Sequence, residues 1–323
     1  MDITSLYYFT EVAKDLHITK TANRLYISQQ TLSNHIQRLE EHFGAQLLNR
    51  KPHLSLTYAG EFVLAFANTV MKEQTNLTDI LSDIEQNERG IIRFGASYLR
   101  MNVLGFIFAP FSARYPNVEL RLSSVISREL EPMVSNGDLD FAIVTREKRD
   151  PDLVQDDLMQ DQIYLCVSDA LLNKYYPEEA ENIKRRSLAG ARVRDFSRLP
   201  FCLFSNYMGQ RIHACFEEAN FTPTVCMTTT QTQIATTIGF QGLAAFFATQ
   251  FNLTSRRDGI PRDMNIFPLL CHGEPLYLQI SLLRHKQRYL PHYSKYFLEL
   301  LSTYCAATEQ TPVSRLAAVP EKP

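Results

Sequence analysis

The chain has 323 residues, 45% of them hydrophobic and 21% charged, with a formal net charge of −2. That balance excludes a wholly disordered polypeptide and leaves chain enough for two or three hydrophobic cores. It also excludes attraction of a polyanion by the global field, so any nucleic-acid affinity has to come from a local patch. The longest apolar stretch, Val103 to Phe111, is too short to span a bilayer, and Met1 to Leu16 lacks a basic flank followed by an apolar run. A cytoplasmic protein without a membrane partner is the expectation. Six cysteines, all at or beyond Cys166, show no CxxC or Cys-His ligand spacing, so no metal and no other cofactor is expected and the thiols should stay reduced.

Ile3 to Lys14 places Leu6, Phe9 and Ala13 on one helical face, and Ile18 to Leu25 repeats the pattern with Ile18, Ala22 and Leu25. Tyr26-Ile27 makes a turn, and Ser28 stands as an N-cap whose hydroxyl can accept from the backbone N–H of Gln30 or Thr31. In the third helix Leu32, Ile36, Leu39 and Phe43 should face inward. Gln29, Gln30, Thr31, Ser33, Asn34, Gln37 and Arg38 are left outward, a surface of amides and hydroxyls able to donate and accept along base edges in a major groove. Arg50, Lys51 and His53 follow in a short turn closed by Leu56-Thr57, the order of a winged helix-turn-helix. A small helical bundle with a polar face fits the same spacing. From His17 to Thr57, Lys20, Arg24, Arg38, Arg50 and Lys51 oppose only Glu40 and Glu41, a modest basic patch that predicts salt-sensitive DNA binding.

Beyond the wing, Val63, Val70, Leu77 and Ile84 recur every seven residues, with Phe66 and Ile80 completing a second stripe that Glu73 and Asn87 interrupt. The seam predicts pairing of two copies, because two-fold DNA half-sites need a two-fold protein; a helix packed on its own domain is the alternative. Asn87-Glu-Arg-Gly90 should end it. From Ile91 onward, apolar strands alternate with amphipathic helices: Ile91 to Gly95, Val118 to Leu122 and Phe141 to Val144 in one set, then a second set from Ile163 through Phe201 to Phe204, Val225 to Thr228 and Leu243 to Phe247. Gln162 to Cys166 and Asn265 to Leu269 are expected to cross between two lobes. Tyr277 to Leu283 and Pro291 to Cys305 should return to the first lobe. Asn173 to Ala191, with Lys184-Arg185-Arg186, reads as an inserted polar segment, and Ala306 to Pro323 as a disordered tail.

The run Ala22-Asn-Arg-Leu25, Ser28-Gln29-Gln30-Thr31-Leu32-Ser33, Ile36-Gln-Arg-Leu39-Glu40, Gly44, Leu47-Leu48, Arg50, Leu56-Thr57 and Gly60 resembles the DNA-binding domain of LysR-type transcriptional regulators. Tyr115-Pro116, Gly137-Asp-Leu-Asp140-Phe-Ala-Ile143, Leu199-Pro200 and Gly242-Leu-Ala-Ala-Phe-Phe247 are similar to recurring motifs of that family's effector domain. The chain departs from the pattern at Thr21, where one of a usual Ala pair is replaced, at Gln30, where Pro is common, and in a wing about one residue shorter.

The resemblance implies an α+β multidomain protein: a winged helix-turn-helix over 1–58, a dimerising linker helix over 59–89, and a two-lobed α/β effector domain of the type 2 periplasmic-binding-protein kind over 91–305. Lobe one would hold 91–165 and 267–305, lobe two 166–266, with 306–323 as the tail. It further implies promoter DNA, a second copy of the chain (a dimer, then a tetramer) and RNA polymerase as partners. A small-molecule effector of unknown identity would lie near Ser97, Tyr98, Ser127, Thr145, Phe204, Ser205 and Asn206. No HExxH, GxSxG or P-loop is present, and a helix-to-strand turn accounts for Asp138 and Asp140, so no enzyme is expected. Two alternatives stay open: a redox-sensing regulator using Cys202 and Cys215, and a solute-binding protein without a regulatory role.

Overall fold

The computed structural model describes residues 2–51, 53–84, 89–145, 148–256 and 259–313. Three helices open the chain: α1 (Ile3–Asp15), α2 (Ile18–Arg24) and α3 (Gln29–Phe43). Each start is capped by a side chain, Asp2 accepting from the Ser5 N–H at 2.7 Å, the His17 ring from Lys20 and Ser28 from Thr31 at 3.0 Å. The turn before α3 puts Tyr26 in the left-handed region at φ 55. Leu6, Phe9, Val12, Ala22, Leu32, Ile36 and Leu39 close one core with Leu47 and Leu48. Phe43 departs from expectation: the last turn of α3 carries it out of this core to an edge contact with Phe66 at 6.4 Å. The wing is an antiparallel pair, β1 (Leu48–Asn49) and β2 (Ser55–Leu56), and its tip residue Pro52 lies outside the described residues.

Helix α4 (Tyr58–Ile84) is 27 residues long and serves two masters. Its first half packs Val63, Leu64, Ala67, Val70 and Met71 against the N-terminal core. This corrects the expected seam: Val63 and Val70 point into their own domain because Leu6, Phe9 and Leu39 need covering there, and Ile80 is half-buried. The apolar face left to solvent keeps Phe66 (45% exposed) and Leu77 (56%) of that seam and continues through Tyr58, Phe62 (63%) and Leu81. The second half of α4 is held by polar contacts to lobe one. Asn76 donates to the Gln287 carbonyl at 3.1 Å, Asp79 pairs with Arg288 at 2.7 Å, and Asp83 accepts from the Tyr289 hydroxyl at 2.8 Å. The Ile84 side chain and residues 85–88, including the expected helix end at Asn87, lie outside the described residues.

The remainder is organised on one seven-stranded sheet. Lobe one contributes β3 (Gly90–Ala96), α5 (Tyr98–Val103), α6 (Gly105–Arg114), β4 (Val118–Ser124), α7 (Ser127–Ser135) and β5 (Phe141–Val144), with β3 parallel to both β4 and β5 as in βαβ connections. Strand β6 (Leu153–Ser168) then runs through both lobes without a break. Lobe two follows with α8 (Asp169–Tyr175), α9 (Ala180–Ser187), β7 (Pro200–Phe204), α10 (Tyr207–Glu218), β8 (Thr224–Thr229), α11 (Thr232–Phe240), β9 (Phe246–Thr249), α12 (Gln250–Ser255) and β10 (Met264–Pro268). A small hairpin, β11 (Leu270–Cys271) and β12 (Glu274–Pro275), precedes β13 (Tyr277–His285), and α13 (His292–Glu309) closes the fold. The order across the sheet is β10-β6-β13-β5-β3-β4, with β9 also on β6.

The crossing strand is longer than the expected Gln162 to Cys166. Its first half pairs with β13 through Gln162, and from Ile163 it pairs with β9 and β10. The polar run Gln155-Asp156-Asp157 hid that first half, because its side chains carry no apolar alternation. The tail also differs. Helix α13 continues to Glu309, the Gln250 amide donates to the carbonyls of Thr308, Glu309 and Thr311 at 2.7 to 2.9 Å, and Val313 is buried. One buried amide satisfying three helix-end carbonyls fixes 306–313, which composition alone made a tail. Residues 314–323 lie outside the described residues. The inserted segment is two short helices; in its basic triplet Arg185 and Arg186 are exposed, while Lys184 is half-buried and pairs with Asp169 at 2.6 Å.

Candidate nucleic-acid interface and inter-lobe cleft

Helix α3 turns Leu32, Ile36 and Leu39 into the core, and this places Gln29, Gln30, Thr31, Asn34, Gln37 and Arg38 on its exposed side with Ser33 half-buried beside them. Several of these groups are occupied within the chain. Gln29 accepts from the Thr19 hydroxyl at 3.1 Å, Thr31 shares a hydrogen bond with Ser28, and Gln37 donates to Glu41 at 2.9 Å. Gln30, Asn34 and Arg38 have no partner among the described residues and can offer their full donor and acceptor sets to an incoming surface. The basic patch is thinner than the sequence suggests. Arg24 is tied to Glu11 and Asp15, Lys20 to Asp15 at 3.1 Å, and Arg50 to Glu40 at 3.3 Å. Arg38 on the helix and Lys51 on the wing remain uncompensated among the described residues, with exposed His53 next to Lys51.

In the α/β part, Ser97 stands at the N-cap position of α5 after β3 without a side-chain capping bond, and Tyr98 stands exposed over a cavity of about 610 Å³ shared with Gln231, Gln233, Ile234, Thr237 and Ile238 of α11. The wall from α11 is absent from the sequence expectation. Its signal was Gln231-Thr-Gln233 at the start of an amphipathic helix, a polar N-terminus beside a strand end. The other expected positions are less uniform. Thr145 is buried at the end of β5, Phe204 is buried in lobe two, Ser205 is exposed, and Ser127 is the first residue of α7 with Ile126 at its cap. Asn206 is committed to structure, accepting from the Gly209 N–H at 3.0 Å and donating to the Thr230 carbonyl at 3.2 Å.

Arg100 lies half-buried one turn beyond Ser97, its guanidinium 3.4 Å from the Ser97 hydroxyl, with desolvation lowering its pKa and the charge of Asp161 opposing that shift. Burial pushes the Asp161 carboxyl up to about 6 against the pull of Arg100. The cleft mouth itself is lined by amides, hydroxyls and apolar groups without a formal charge.

The two cysteines considered for redox chemistry are both inside the lobe-two core, Cys202 in β7 and Cys215 in α10. Burial raises both thiols, Cys202 to about 11, which is the reverse of the low-pKa, accessible thiolate that peroxide sensing needs.

Two family models cover this architecture: the LysR substrate binding domain over residues 85–306, and the bacterial regulatory helix-turn-helix protein, lysR family, over residues 3–61. The chain belongs to the LysR family of bacterial transcriptional regulators. Among curated relatives, the uncharacterized HTH-type transcriptional regulator YcgK of Bacillus subtilis (strain 168) is 25% identical over 93% of this chain and 94% of its own length. YybE of the same organism is 27% identical over 70% of this chain and 74% of its own. Full-length OxyR from Pseudomonas aeruginosa shares the fold with a TM-score of 0.67 at 16% identity, covering 100% of this chain and 99% of that one. Full-length CbnR, solved in complex with its target DNA, matches with a TM-score of 0.57 at 18% identity over 94% of this chain and 99% of that one.

This LysR-type protein is therefore a DNA-binding transcriptional regulator with a C-terminal effector domain. Its family consists of regulators rather than enzymes. Among the described residues no helix is long and apolar enough to cross a membrane.

Proposed function

We propose that this regulator works in the cytoplasm as a symmetric dimer, assembling further into a tetramer, and holds promoter DNA with Gln30, Ser33, Asn34 and Arg38 in the major groove while Lys51 and His53 of the wing rest on the backbone. The observation that carries this reading is the exposed face of α3, where uncommitted amides and one free guanidinium stand above a core that fixes the helix. Self-association is supported by the apolar stripe Tyr58, Phe62, Phe66, Leu77 and Leu81 on α4. Effector binding in the cleft would alter the assembly's shape and hence DNA bending and contact with RNA polymerase. The uncharged mouth around Tyr98, Gln231 and Gln233 favours a small polar effector that is neutral or carries a single charge, with no further cofactor in the cleft.

The test is thermal melting against a panel of carboxylates, amino acids, sugars and aromatic metabolites, since a ligand selective for the native cleft raises the midpoint. The expected result is a shift with one chemical class that is lost in Ser97→Ala and Gln233→Ala. A shift that survives both substitutions refutes the cleft assignment.

A further inference from the structure

The segment that carries the chain from β10 in lobe two back to β13 in lobe one is interrupted by the β11–β12 hairpin. Its two-residue turn has His272 at φ 51 and Gly273 at φ 80, the paired left-handed geometry of a type I′ turn. The hairpin meets the C-terminal end of α10. Glu218 Oε2 accepts from the His272 backbone N–H at 2.6 Å, and Oε1 lies 3.6 Å from His272 Nδ1. The Cys271 thiol comes to the same place, so one ligand atom from each of Glu218, Cys271 and His272 falls within 4.8 Å of the others. Cys215, one turn earlier on α10, is buried beneath the hairpin's attachment point, its thiol donating to the Arg211 carbonyl at 3.6 Å.

A hairpin capped by a carboxylate needs one oxygen on one N–H, which Glu218 Oε2 already supplies. It does not need an imidazole and a thiol turned toward the second oxygen. Thiolate, imidazole and carboxylate together are the donor set of zinc chemistry, whose bonds of about 2.0 to 2.3 Å put tetrahedral ligand atoms roughly 3.3 to 3.8 Å apart. The contraction required, about 1 Å from the present separations, is available by rotation of the exposed His272 and Glu218 side chains. One thiolate and one carboxylate neutralise a divalent ion, so the nearby guanidiniums of Arg192 and Arg211 face a neutral site. The spacing escaped the linear reading because Glu218 and Cys271-His272 are distant in sequence and meet through the packing of α10 on β11.

We propose that Glu218, Cys271 and His272 bind a soft divalent cation of the zinc type, with the fourth position open to water. A metal here joins the connecting hairpin to the end of α10 and fixes the segment between the lobes to lobe two.

The experiment uses the full-length protein, kept reduced with a phosphine, titrated with Co²⁺ and then Zn²⁺. One equivalent of Co²⁺ is expected to give a thiolate charge-transfer band in the near ultraviolet together with the strong visible bands of tetrahedral coordination, and Zn²⁺ should abolish both. Cys271→Ser removes the charge-transfer band, and His272→Asn, which keeps a residue tolerant of the left-handed turn, weakens binding at least about tenfold. Cys226→Ser, at an exposed thiol on β8, leaves the titration unchanged. Unaltered affinity in Cys271→Ser and His272→Asn, or a weak octahedral spectrum without a thiolate band in the wild type, overturns the site.

Discussion

Arg288 sits where the linker helix meets lobe one, and its removal should uncouple them. The guanidinium lies 2.7 Å from Asp79 on α4 and 3.0 Å from Asp140 at the start of β5, and donates to the Asn76 side chain at 3.1 Å. The side chains of all three charged partners are nearly dry, 10% exposed for Arg288, 9% for Asp79 and 5% for Asp140. Arg288→Ala therefore deprives two buried carboxylates of their nearest guanidinium, leaving Asp79 the Tyr293 hydroxyl at 3.0 Å and Asp140 the Arg93 N–H at 2.8 Å with the Arg93 guanidinium farther off at 3.7 Å. Breaking a buried pair by deleting one partner costs about 3 to 5 kcal/mol, a loss of roughly two to three and a half powers of ten in the folding equilibrium.

The pH dependence has a definite sign. Desolvation already raises the Asp140 carboxyl above its usual 3.8, and losing Arg288 raises it further. An acid raised in the folded state contributes stability below its unfolded pKa that is lost as pH rises through the folded one. The deficit of the variant should consequently be largest near neutrality and shrink on acidification toward pH 4. Urea unfolding followed by circular dichroism and tyrosine emission, the chain having no tryptophan, reads this directly. A deficit below about 1 kcal/mol at neutral pH, or one that does not change with pH, refutes the reasoning.

Gln30→Ala should lose about 1 to 3 kcal/mol of discrimination at one operator position, while Lys51→Ala weakens all sequences alike and reduces the salt slope by about one; identical profiles across operator variants in a gel-shift series would refute the division. Gly60→Ala places a methyl group 2.1 Å from the Leu47 carbonyl oxygen, so the wing and α4 must separate at a cost of about 1 to 3 kcal/mol, measured as a lowered melting temperature and weaker DNA binding. Asp161, raised from 3.8 to about 6 by burial, withholds up to roughly 3 kcal/mol from the fold as pH rises from 4 to 7. Asp161→Asn should flatten that part of the stability profile, and an unchanged profile would place the acidic transition elsewhere.

The parts legible in the sequence were those with a strong local period. Leu32, Ile36 and Leu39 fixed which face of α3 is free, and Ser28 its first turn, because both are decided within four residues. The linker was harder to read. A heptad pattern states that Val63 and Val70 share a stripe, but not whether that stripe faces a second chain or the core built by Leu6, Phe9 and Leu39. The polar residues Asn76, Asp79 and Asp83 look like a solvated face in one dimension and become a buried joint when Gln287, Arg288 and Tyr289 arrive from more than two hundred positions away. The Glu218, Cys271 and His272 cluster was invisible for the same reason, whereas the α11 wall of the cleft left a local signal in Gln231-Thr-Gln233.

Helix α4 thus belongs to two bodies at once, since its first half completes the DNA-binding core and its second is locked to lobe one. A motion of lobe one relative to the helix-turn-helix must bend α4 or break the Arg288 network, and both are costly. Lobe two is joined differently, through β6 and the β10-to-β13 segment, yet not loosely: one buried cluster runs from Phe94 and Phe297 through Ile163 and Tyr164 to Phe201 and Phe247, and Gln250 of α12 holds the end of α13. A wide hinge opening would tear that cluster. On the proposed reading, an effector in the cleft would be restricted to small shear displacements between Tyr98 and α11, since a packed core transmits such shifts as rigid-body rotations rather than absorbing them. The response to look for would then be a change in how copies of the chain sit against one another.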